Sequence, residues 1–168
     1  MIEQLREHIT QKQLDLICDR IKEQNRRFMR ITSTDDYINT FGSEYANHRR
    51  QNQLSQAIMS GFRNNTTIDG LHVSLTKDPS GYARPKLSNE SIVIHIQSED
   101  FNSKSKYLKP FYDLNMNGCS GSQLYCYIVF KEKNSRLISV TLFLPDEEGK
   151  VLKKEVLLDQ QTIMTLAS

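Results

Sequence analysis

Apolar positions change their period once along this chain. Up to about residue 62 they recur at helical spacing, and from about residue 70 onward they alternate with polar ones. Ile2, Leu5 and Ile9 share one face of a short N-terminal helix. Leu14, Ile17, Ile21 and Phe28 define a face rotated by roughly a third of a turn, so the phase predicts a break between the two. The break carries its own signal. In "ITQKQL", Thr10 can cap the free amides of a following helix while Gln13 reaches back to the Thr10 amide, a capping box. Ile9 and Leu14 flank it as a hydrophobic staple. A longer helix is therefore predicted from about Gln11 to Met29.

"STDDYINTFG" repeats the logic: Ser33 with Asp36 is expected to start a helix that Gly42 ends. A further helix is predicted through "EYANHRRQNQLSQAIMSGF", anchored by Leu54, Ala57 and Ile58, with Gly61 as its C-terminal cap.

Beyond "RNNTTIDG" the pattern becomes that of strands. "LHVSLTK" places Leu71, Val73 and Leu75 on one face, with His72, Ser74 and Thr76 on the other. "SIVIHIQ" answers with Ile92, Ile94 and Ile96 inward and Val93, His95 and Gln97 outward. The intervening "DPSGYARPKLSNE" is too long for a tight hairpin and reads as a loop. "SKSKYLKPFYDLN" suggests a short helix interrupted at Pro110. "QLYCYIVFK", "LISVTLFLP" and "KVLKKEVLL" then form a meander, joined by "EKNSR" and by the turn "DEEG". The expected fold class is α+β, with N-terminal helices packed on a mostly antiparallel sheet of about five strands. Residues 1–66 form a helical segment and 67–168 a β-rich segment, together one compact domain.

Composition narrows the classes of function. With 168 residues, 38% apolar and 25% charged, the chain can build a core. Its net charge of +2 is too small to demand a nucleic-acid partner. No apolar run approaches the ~20 residues that span a bilayer. The three cysteines, Cys18, Cys119 and Cys126, are odd in number and lack metal-ligand spacing, so a reducing cytoplasm is the expected location.

Candidate chemistry is sparse. His72 and Ser74 make a His-x-Ser element of the kind two-histidine phosphodiesterases use, with imidazole handling protons and hydroxyl binding phosphate. That chemistry needs two copies, and "HIQS" puts Gln97 where the second hydroxyl belongs. A hydrolase reading would rest on His72, Ser74 and His95. A zinc site would need a third ligand that is not evident, and no metal or cofactor is expected. "PDEEGK" offers Asp146, Glu148 and Lys150 as a nuclease-like set, but in a stretch that reads as an exposed turn.

Two surfaces remain. Tyr82, Arg84 and Lys86 are expected to be displayed together on the loop spanning 78–90, where Tyr and Arg serve well as binding anchors. Arg20, Arg26, Arg27 and Arg30 occupy one arc of the long helix, with Arg49, Arg50 and Arg63 beyond it. Asp19 and Glu23 share that arc and can pair with it. The sequence thus leads to a non-enzymatic cytoplasmic binding protein, such as a regulator, inhibitor or immunity-type protein of mobile-element origin. It would contact a protein or nucleoprotein partner through the loop or the arginine-bearing helix. The alternatives are the hydrolase above and direct DNA or RNA binding by the helical half.

Overall fold

A computed structural model of the chain describes residues 2–77, 83–99, 123–134, 136–145, 151–159 and 161. Capping decides where the first long helix begins. Thr10 Oγ1 accepts the Gln13 amide at 3.1 Å and Gln13 Oε1 accepts the Thr10 amide at 2.9 Å, completing the expected box. Gln13 then goes further, donating from Nε2 to the Asp69 carbonyl at 2.8 Å. Helix α1 runs Gln11–Thr32, past the expected end at Met29. Arg50 explains the extension: its guanidinium donates to Thr32 Oγ1 at 3.0 Å and to the Thr32 carbonyl at 2.5 Å, capping the last turn. Before α1 the chain makes only a 3-10 turn, Glu3–Leu5, in place of the expected short helix.

Helix α2 (Asp35–Phe41) is capped by Thr34, whose hydroxyl accepts the Tyr37 amide at 3.3 Å. Ser33, the expected cap, instead closes α1 by donating to the Met29 carbonyl at 2.6 Å. Gly42, at φ 73°, ends α2 and leads straight into α3 (Ser43–Met59). Gly61 is not the cap of α3. Its missing side chain lets Gln24 of α1 lie against the backbone, where a Cβ would fall 2.3 Å from Gln24 Cγ.

The sheet has seven strands, not five: β1 (Thr66–Ile68), β2 (Leu71–Lys77), β3 (Ala83–Ser88), β4 (Ile92–Ser98), β5 (Leu124–Lys133), β6 (Arg136–Pro145) and β7 (Val151–Leu158). They lie in sequence order, antiparallel throughout except for the parallel pair β4–β5. The α+β class and the mostly antiparallel sheet therefore hold. β3 replaces the expected loop. Pro85 conceals it, and the register shows why proline is tolerated: residues 83–85 pair with β2, while the ladder to β4 begins only at Lys86.

One hydrophobic core draws on both halves of the chain. Leu14, Ile17, Cys18 and Ile21 of α1 and Leu54 and Ile58 of α3 meet Val73, Leu87, Ile94, Cys126 and Leu142 from successive strands. Each such apolar side chain contributes about 1.5–3 kcal/mol on burial. β1 and β7 end the sheet order, yet α1 contacts both, so the sheet curls about the helices and α1 lies across the gap between its edges. No helix among the described residues is long and apolar enough to cross a membrane.

Candidate functional site

Strand parity puts polar side chains on the face away from the helices, as the alternation in the sequence implies. One row across it reads Ser74, Lys86, His95, Tyr127, Phe143 and Lys154, on six neighbouring strands. His95 lies on the face away from the core, as its parity implies, yet is only 3% exposed, because all seven residues of β4 are buried. Its ring lies 5.4 Å from that of Tyr127 and 6.5 Å from that of Tyr125. Burial, with the Lys86 ammonium and the Arg84 guanidinium adding to it, pulls His95 down to about 3. The imidazole is therefore neutral at physiological pH and too weakly basic to serve as a general base there.

The three residues of the hydrolase reading do not converge. β3 separates β2 from β4, so His72 and His95 are not cross-strand neighbours. Ser74 and His95 flank Lys86 on opposite sides, two strand spacings or roughly 10 Å apart. His72 lies one pleat away, exposed, opposite Ser88. No group of three metal-ligating side chains occurs among the described residues. Cys18 and Cys126 are buried free thiols; burial pushes Cys18 up to about 12 and Cys126 higher still, so both behave as small apolar residues. Asp146, Glu148, Lys150 and Cys119 lie outside the described residues, as does the segment around Pro110.

The loop surface is not as expected. Tyr82 lies outside the described residues, while Arg84 and Lys86 belong to β3. Arg84 is 3% exposed and Lys86 half-buried, so neither is displayed. Displacing them was invisible to a reading that took the whole stretch as a loop.

The arginines of the helical layer divide into those with structural partners among the described residues and those without. Arg26 and Arg27 both bond Glu23, at 3.0 and 2.9 Å, and together hold its carboxyl below the usual range. Arg49 stacks over Phe41 at 4.5 Å from the ring centroid, and Arg50 caps α1. Arg30 is exposed near the end of α1. A cleft of about 510 Å³ runs along the β1 flank of α1, bringing Arg20 and Arg27 together with Arg63 and Thr66 from beyond α3. The two carboxylates that line it are already taken: Glu23 by Arg26 and Arg27, Asp19 by Lys22 at 2.6 Å. Arg20 and Arg63 have no acidic partner among the described residues. Their convergence could not be seen in the sequence, where Arg63 stands apart from the helical arc.

No protein-family model, curated protein or solved structure matches the chain.

Proposed function

We propose that the protein is a non-enzymatic binding protein of the regulator, inhibitor or immunity type, contacting a protein or nucleoprotein partner through the outer side of α1. The observation that carries this reading is the cleft holding Arg20 and Arg63 without acidic partners among the described residues. Guanidinium groups recognise carboxylates through paired N–H donors and bury large area at little rotamer cost. Leu16, 39% exposed at the same cleft, adds an apolar contact.

The test uses a labelled oligoglutamate peptide and a labelled single-stranded oligonucleotide, each titrated in fluorescence anisotropy against the whole protein and against Arg20→Glu/Arg63→Glu. Preferential binding of the peptide, weakened by at least about tenfold in the variant, is expected. Tighter oligonucleotide binding with a steep salt dependence would move the assignment to nucleic acid. Hydrolase turnover abolished by His95→Ala would overturn the reading altogether.

A further inference from the structure

Arg63 also stands at a second opening. The β1–β2 ladder ends at the pair Thr66–Val73, yet β2 runs on to Lys77, so its remaining residues have no neighbouring strand on that side among the described residues. Asn64 stands in for one: its Oδ1 accepts the Leu75 amide at 3.2 Å. α3 has ended at Met59, and the turn after it buries Phe62 and leaves Arg63 and Asn64 exposed. Leu75 points to the same side of β2 as the buried Leu71 and Val73. It is nonetheless 40% exposed, because among the described residues no helix or strand covers it there. A pocket of about 440 Å³ opens at this point, lined by Met59, Phe62, Leu75 and Ala83. Arg63 lines both this pocket and the arginine cleft, so the two openings meet at that residue.

Resting on the reading of the arginine cleft as a contact surface, we propose that the two openings together take one segment of a partner protein in which an apolar side chain stands beside a carboxylate. The carboxylate meets Arg63 and Arg20, which have no acidic partner among the described residues. The apolar side chain enters the pocket against Met59, Leu75 and Ala83. Neither half is enough alone. An exposed guanidinium–carboxylate pair contributes little by itself, and an aliphatic pocket accepts any apolar group that fits. Arg63 ties the two together, so the spacing of carboxylate and apolar side chain becomes the selective feature. The lining also favours a protein segment over nucleic acid. Single-stranded nucleic acid is held by stacking its bases on exposed aromatic faces. Among the described residues the only ring lining either opening is that of Phe62, which is 1% exposed.

The experiment titrates labelled peptides against the whole protein in fluorescence anisotropy: a short oligoglutamate, and the same peptide with leucine or with alanine at its centre. The leucine peptide is expected to bind at least about tenfold more tightly than the alanine peptide, which carries the same charge. That advantage should vanish in Leu75→Gln, while oligoglutamate binding stays as in the wild type. Arg20→Glu/Arg63→Glu should weaken every one of the peptides. If Leu75→Gln does not fold, Ala83→Gln makes the same comparison by narrowing the pocket from an exposed position. Equal affinity of the leucine and alanine peptides, or an advantage that persists in the pocket variants, overturns the proposal and leaves the arginine reading standing. Failure of every peptide to bind, or tighter binding of a single-stranded oligonucleotide, removes that reading and the proposal with it. A concentration-dependent dimer abolished by Leu75→Gln would give the pocket to a second copy and likewise end it.

Discussion

Gln13 joins two parts of the molecule that are far apart in sequence, and its removal gives a sharp test of how α1 is anchored. The side chain is 8% exposed; its oxygen accepts the Thr10 amide and its nitrogen donates to the Asp69 carbonyl. Gln13→Ala removes both part-buried bonds and leaves the Thr10 amide and the Asp69 carbonyl without this partner. At about 1 kcal/mol net for each bond, the expected loss is about 2 kcal/mol. For a chain of this size that corresponds to about 4–8 °C in Tm. Urea unfolding followed by helical circular dichroism measures it directly, with the slope serving as a check that the transition stays two-state. Gln13→Glu sharpens the test. It keeps an acceptor for Thr10 but sets a carboxylate oxygen against the Asp69 carbonyl. Folding should then raise the introduced carboxyl's pKa, because only its protonated form can donate there. A raised folded-state pKa means that acidification favours the fold, so this variant should approach wild type near pH 4 and fall away towards pH 7. A loss below about 0.5 kcal/mol in Gln13→Ala, or a Gln13→Glu deficit that ignores pH, would refute the anchoring role.

Two further outcomes follow from the geometry. His95 is held down to about 3, below the ordinary histidine value near 6.5, so its contribution to stability is fully present above about pH 6.5 and is lost as pH falls towards 3. Between pH 6.5 and 5, above the main carboxylate range, wild type should lose up to about 1.4 kcal/mol per pH unit more than His95→Gln; parallel stability profiles would contradict the burial argument. Gly61→Ala should cost about 1–3 kcal/mol through the clash with Gln24, and Gln24→Ala in the same chain should recover most of it. Additive losses in that thermal-melt cycle would mean that the contact at Gly61 is not what constrains the site.

What was legible in the sequence was what depends on near neighbours. The Thr10–Gln13 box, the staple and the apolar stripe of α1 are short-range patterns, and each appears where its spacing put it. The shared parity of His72 and His95 was equally readable, since alternation alone sets it. Ser33 and Thr34 show the resolution of such arguments: two adjacent hydroxyls compete, and the one outside α1 becomes the cap of α2. β3 was hidden because Arg84, Pro85 and Lys86 have loop-like composition, and only the position of Pro85 beyond the β4 ladder makes it acceptable in a strand. The burial of His95 and the meeting of Arg20 with Arg63 depend on which elements pack together, and no local period encodes that.

The position of α1 has a consequence for how the chain is made. This helix contacts both β1 and β7, so α1 leaves the ribosome before every strand of the sheet and has a partner in the last of them. At ordinary elongation rates the interval between them is on the order of ten seconds. During that time the stripe of Leu14, Ile17 and Ile21 cannot reach its complete set of partners. The nascent chain must shelter an amphipathic helix against α3 and the early strands, or against a chaperone, and its sheet can close around α1 only when synthesis has passed residue 158.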